Sequence, residues 1–121
     1  MKKSLGIVIL TWNDFNNTIK CIKSVYSQLN NITKIILVDN NSEPRFYDTT
    51  LKWIKKKYPN NYQEVKKIKS ISSKKKIFIL RNKNNLGCGY GHNTGYKFAL
   101  KNNFEYIARI DNDMIVPKKF F

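Results

Sequence analysis

Asp111 and Asp113 flank a single residue, Asn112. They directly follow the apolar run Tyr106-Ile107-Ala108-Arg109-Ile110 and precede Met114-Ile115-Val116-Pro117. A strand that ends this way can deliver two oxygen ligands to one hard cation. Mg²⁺ and Mn²⁺ take carboxylate, water and phosphate oxygens, so the pair suits a bound diphosphate. The same residues also make turns, since Asp and Asn side chains hydrogen-bond their own backbone. What surrounds them decides between cation site and turn.

Three other polar segments carry chemistry: Thr11-Trp12-Asn13-Asp14, Asp39-Asn40-Asn41-Ser42 and the glycine-bearing stretch Asn85 to Gly95. Each follows an apolar run. Leu5 to Leu10, Ile35 to Val38, Ile77 to Leu80 and residues 106 to 110 read as four strands, the first a continuous apolar run as expected of a buried parallel strand. Asn13 or Asp14 can cap a first helix in which Phe15, Ile19, Ile22, Tyr26 and Leu29 share a face, ended by Asn30-Asn31. Tyr47, Leu51, Ile54 and Tyr58 share the face of a second. From Arg81 to Gly95 the chain reads as a polar connection into a third helix through Tyr96 and Leu100. Lys52 to Lys76 holds ten lysines against one acid, Glu64, and reads as solvent-facing helix and loop. The expected fold is α/β, one domain over residues 1–121, with an open and mostly parallel sheet. In such a sheet ligands bind past the carboxyl ends of the strands, where all four polar segments fall.

Composition narrows the classes. The net charge of +15 comes from 23 basic and 8 acidic residues, a balance that suggests nucleic acid. Only Arg45, Arg81 and Arg109 are arginines, whereas nucleic-acid interfaces favour arginine forks. The lysine surplus therefore reads as solvated surface, with no specific nucleic-acid partner and at most peripheral contact with anionic lipid. No apolar stretch is long enough for a membrane span, and Trp12-Asn13-Asp14 is no signal-peptide cleavage site, so a cytoplasmic chain is expected, or one at the inner face of the membrane. Cys21 and Cys88 make neither a disulfide framework nor a zinc spacing, and His92 is the only histidine. The glycine stretch is not a Walker loop, and the turn after the first strand has no glycine, which argues against a dinucleotide-binding fold.

Taken together, Ile7 to Asn13, Ile36 to Ser42, Asn85 to Gly95 and Ile110 to Asp113 with Pro117 resemble the nucleotide-sugar-binding half of a family 2 glycosyltransferase of the GT-A fold. The glycine stretch is nearest the rhamnosyltransferase-like branch. The resemblance implies that Thr11 and Trp12 line a base pocket and that Asp39 accepts a hydrogen bond from the base. It sets Asn85, Gly87 and Asn93 beneath the ribose and diphosphate. Asp111 faces the ribose or a metal-bound water, and Asp113 ligates Mn²⁺ or Mg²⁺ directly. The implied donor is a UDP, dTDP or GDP sugar, and the implied acceptor a glycan or lipid-linked sugar in cell-surface polysaccharide or glycan synthesis. In the family an acceptor-binding half follows the D-x-D strand and carries the proposed general base. Residues 1–121 therefore correspond to the donor part, truncated after that strand, and a homo-oligomer or partner chain is expected to cover its edge.

The residues keep other readings open. Trp12 could be core, Asp39 with Ser42 a strand-ending turn, and Asn85 with the glycines loop chemistry alone. His92 reads as an accident of the loop, and Cys88 as inert. A non-catalytic nucleotide-sugar-binding or degenerate module is the first alternative function, and a basic nucleic-acid-binding protein the second.

Overall fold

The computed structural model describes residues 4–66 and 74–120. Strand β1 (Leu5–Thr11) leads to helix α1 (Phe15–Tyr26), β2 (Thr33–Asp39) and α2 (Pro44–Lys57). Then come β3 (Tyr62–Glu64), β4 (Ile77–Arg81), α3 (Gly87–Lys101) and β5 (Tyr106–Asp111). The five strands form one sheet in the order β3-β4-β2-β1-β5, and every pairing is parallel.

The apolar runs are continuous because the inner strands are covered on both faces. Ile7, Ile9, Ile35, Leu37, Ile77 and Ile79 pack with Cys21, Ile22 and Val25 of α1 and Ile54 of α2. The alternate residues Val8, Ile36, Val38, Phe78 and Leu80 pack with Phe98 and Ala99 of α3. Two helices thus cover one face and one covers the other. The strand order reverses between β1 and β5, and the crevice at such a reversal is where open α/β sheets hold ligands.

Three expectations need correction. Tyr62–Glu64 forms a strand, pairing with β4 from Tyr62↔Ile77 to Glu64↔Ile79, inside the lysine-rich stretch read as helix and loop. Three half-buried residues at a sheet edge carry no alternation to detect, and residues 67–73 of that stretch lie outside the described ones. Helix α1 ends at Tyr26 rather than Asn30-Asn31, so Leu29 packs on the core from beyond the helix. Helix α3 begins at Gly87, so most of the presumed connection is helix. Glycine disfavours helices, which hides this from propensity. Packing supplies the reason. A Cβ on Gly95 would lie 2.5 Å from Val8 Cγ1 and 3.1 Å from Val38 Cγ2, and one on Gly91 would lie 2.9 Å from Asn40 Nδ2. Only glycine lets α3 lie this close to β1 and β2.

Candidate functional site

Asp111 is the last residue of β5, and the chain turns at once, with Met114 N–H donating to Asp111 O at 3.0 Å. Asn112 faces inward. Its Nδ2 donates to Asp14 Oδ2 at 3.0 Å and to Thr18 Oγ1 at 3.1 Å. Asp14 in turn caps α1, accepting from Asn17 N–H at 3.2 Å. The central asparagine thus staples the turn to the start of α1, and both flanking carboxylates stay exposed. They act on a common neighbour. The Cys21 thiol is pushed up to about 11, first by burial and then by the charges of Asp113 and Asp111. Arg109 Nη2 lies 3.7 Å from Asp111 Oδ1, an exposed pair of small energetic weight.

A cavity of about 420 Å³ opens at this edge. Its walls are Trp12 and Asp14 past β1, Cys88 and His92 on α3, and Arg109 with Asp111, Asn112 and Asp113 at β5. Trp12 is 52% exposed, which excludes the core reading for it. The ring stands free as an apolar wall opposite two carboxylates.

Asp39 behaves differently. It is 3% exposed, and its Oδ2 accepts from Ser42 N–H at 2.9 Å and pairs with Arg81 Nε at 3.4 Å. Arg81 also donates to Ser42 O at 2.7 Å and stacks over the Tyr47 ring at 4.2 Å. The carboxylate therefore builds the strand-ending turn, whatever else it does. Asn13 couples this turn to the one after β1, its N–H donating to Ser42 Oγ at 2.9 Å and its Oδ1 accepting from Glu43 N–H at 2.8 Å. Thr11 is buried, with its Oγ1 2.7 Å from Thr18 Oγ1. Thr11 and Asp39 line a narrow void against α2, separate from the exposed cavity.

The approach to α3 hangs on Asn40, which is 3% exposed. Its Nδ2 donates to Asn85 Oδ1 at 3.1 Å and Gly87 O at 3.2 Å, and its Oδ1 accepts from Asn82 Nδ2 at 3.0 Å and Leu86 N–H at 3.1 Å. Asn85 Oδ1 also accepts from Gly87 N–H at 2.8 Å, and Gly87 sits at φ +77°, which favours glycine. Asn93 lies on the exposed side of α3. Of the residues singled out in sequence, Trp12, Asp111 and Asp113 share the exposed cavity. Asn85, Gly87 and Asn93 lie outside its lining, and the first two shape the entry into α3. Asn40 and Arg109 were missed. Asn40 reads locally as one more turn residue, and Arg109 is hidden within an apolar run.

Among the described residues, no group of three or more His, Cys, Asp or Glu side chains could by itself hold a metal ion. Two exposed carboxylates on one turn are nevertheless a fitting donor set for Mg²⁺ or Mn²⁺. Such ions are commonly held by one or two carboxylates, with substrate phosphates and water completing the shell.

Residues 6–121 match the model of a protein family described as glycosyl transferase family 2. The fold recurs in solved structures. The mannosyltransferase PcManGT from Pyrobaculum calidifontis, in complex with GDP-Man and Mn²⁺, is 14% identical with a TM-score of 0.74, over 98% of this chain and 30% of that one. S. aureus TarS 1–349 in complex with UDP is 20% identical with a TM-score of 0.64, over 91% of this chain and 27% of that one. The same protein with UDP-GlcNAc gives 20% and 0.64, over 91% and 26%. The chain thus spans less than a third of the length of these structures. Comparison with curated proteins finds no match.

Proposed function

We propose, for a chain that belongs to glycosyl transferase family 2, that the carboxyl edge of its sheet binds the nucleoside diphosphate of a sugar donor. The observation that carries this is the meeting of Trp12, Asp111 and Asp113 around one exposed cavity. Trp12 offers a face on which a base can stack. Asp39, fixed by Ser42 and Arg81, is the acceptor for a base N–H. Asp113 holds Mn²⁺ or Mg²⁺ directly, and Asp111 faces the ribose or a water on the ion. The bound ion supplies electrostatic stabilisation of the leaving diphosphate. Asn112 holds the turn in register with α1. Asn85 and Gly87 set the start of α3, which runs beneath the ribose and diphosphate with Asn93.

The complete reaction on this reading is inverting transfer to an acceptor hydroxyl of a glycan or lipid-linked sugar. The base comes from an acceptor-binding half, and transfer needs that base and acceptor positioned together. The pattern from Asn85 to Gly95 favours the rhamnosyltransferase-like branch. The exposed lysines Lys52, Lys55, Lys56 and Lys57 of α2, with Lys66 and Lys74, suit peripheral contact with anionic lipid at the inner face of a membrane. No helix among the described residues is long and apolar enough to cross one. Met114, Ile115 and Phe120 are exposed beside edge strand β5 and suit a covering partner or a second copy.

Calorimetry with UDP, dTDP and GDP tests the donor site. Binding of at least one is expected in Mn²⁺ or Mg²⁺ and should be lost in EDTA. Equal binding in EDTA would remove the metal role, and no binding to any of the three would remove the site.

A further inference from the structure

Side chains alternate along a strand, so Lys34 shares the face of β2 that carries Ile36 and Val38. That is the face α3 covers, with Val8, Ile36, Val38 and Phe78 packed against Phe98 and Ala99. Helix α3 ends at Lys101, and a pocket of about 210 Å³ opens there, at the amino ends of the strands. Its apolar walls are Phe78, fully buried, and Phe104 and Ile32, both half-buried. Ser4 lies between its two sides. Ser4 O accepts from Tyr106 N–H at 2.9 Å and Ser4 Oγ from Glu105 N–H at 3.1 Å, while Ile32 O accepts from Leu5 N–H at 2.9 Å. Lys34 is the only charged residue in the lining among the described residues. Glu105, the acid nearest along the chain, is exposed and outside that lining. Burial, and then the charge of Lys76, lower the pKa of the Lys34 ammonium. An anion set against it offsets both effects.

We propose that this pocket binds a small anionic amphiphile, its carboxylate against the Lys34 ammonium and its apolar body against Phe78, Phe104 and Ile32. The walls set the class. Phenyl and isoleucine surfaces gain from an apolar body and offer little to a hydrated ion. Lys34 selects negative charge, and the net charge of +15 draws anions towards the chain. Volume sets the size, since 210 Å³ holds about seven groups at the ~30 Å³ of a water molecule. A short-chain carboxylate fits and a two-chain lipid does not. The pocket lies at the opposite end of the strands from Asp111 and Asp113, so its occupancy is independent of the function proposed above. An occupant touches the segment before β2 and the segment between α3 and β5 together, and so resists separation of β5 from β1.

The test titrates the isotope-labelled native chain with hexanoate and follows its amide NMR shifts, with 1-hexanol, hexylammonium and acetate for comparison. Hexanoate is expected to give saturable shifts centred on Ser4, Ile32, Lys34 and Phe104. It should bind at least about tenfold tighter than hexanol, in line with hydrogen bonds to charged groups. Hexylammonium lacks the anion and acetate lacks the apolar body, so neither should saturate the pocket. Lys34→Gln should bring hexanoate down to the level of hexanol, while Lys34→Arg should keep the preference. Amide exchange across Tyr106–Asp111 should slow when hexanoate is bound. Shifts centred on Trp12, Asp111 and Asp113, or no saturable shift at all, would overturn the pocket. Equal affinities for hexanoate and hexanol, or an unchanged preference in Lys34→Gln, would overturn Lys34 as the partner of the anion. A matching response to acetate would leave only general attraction by a basic surface and overturn the amphiphile. Unchanged exchange in β5 would overturn the hold on that strand.

Discussion

Asp113→Ala is expected to weaken metal-dependent nucleotide binding by at least about tenfold, or about 1.4 kcal/mol, leaving only a residue that EDTA no longer changes. The asymmetry within the turn gives the reason. Asn112 is committed to Asp14 and Thr18, so only the flanking carboxylates are free to face a cation. Both are exposed and no buried network depends on them, so the fold should survive the change. Asp39→Ala is expected to behave otherwise. It should relax the choice among UDP, dTDP and GDP, with a smaller effect on the response to metal. It also leaves Ser42 N–H and Arg81 without their acceptor, so it should lower stability, by about 1–3 kcal/mol for a buried group left unsatisfied. Asp39→Asn, which keeps an oxygen for Ser42 N–H, separates the two effects. Titration of the three variants against each nucleotide, with and without Mn²⁺, is the measurement. An unchanged base ranking in both Asp39 variants would remove Asp39 from the base pocket. An unchanged EDTA effect in Asp113→Ala would remove the ligand.

The second large effect concerns packing. Gly95→Ala is expected to destabilise the chain by about 2 kcal/mol or more, within the range of overpacked cores. In an exposed helix the same change is favourable by about 1 kcal/mol, because alanine prefers helices over glycine. Here the added methyl would meet Val8 Cγ1 at 2.5 Å, with Val8 Cγ2 and Val38 Cγ2 both at 3.1 Å. Those valines belong to the inner strands β1 and β2 and cannot move aside without repacking the sheet. Gly89, in the same helix, is the control. Nothing lies within 4 Å of its added Cβ, so Gly89→Ala should be neutral or stabilising. Equilibrium unfolding in urea compares them. If Gly95→Ala matched the unmodified chain, the close seating of α3 on the sheet would be wrong.

Strands β1, β2 and β4 were legible in sequence because burial on both faces writes them as apolar runs, and edge strand β5 was legible from Tyr106, Ile107, Ala108 and Ile110 despite Arg109. The carboxyl edge followed from that reading, and with it the placement of Trp12, Asp111 and Asp113. What could not be read depends on partners distant along the chain. Asn40 looks like a turn residue until Asn82, Asn85 and Leu86 are brought to it. Arg109, read in sequence as one residue of an apolar run, reaches Cys88 on α3 only through the fold. The start of α3 was misread because the glycines that argue against a helix locally are what allow it to pack.

The pairing of β1 with β5, from Leu5↔Tyr106 to Leu10↔Asp111, sets when the cavity can exist at all. Its two walls are stapled by a hydrogen bond between residues 98 apart, Asp14 and Asn112. Closing so long a loop costs entropy before any contact rewards it, and such contacts form late. The joined β2, β4 and their helices need no help from β5, whose only strand partner among the described residues is β1. A fluctuation that peels β5 away would erase the binding site while most of the apolar core stayed intact. A ligand seated across that seam would hold it shut by mass action, so occupancy and the closure of this long loop rise and fall together.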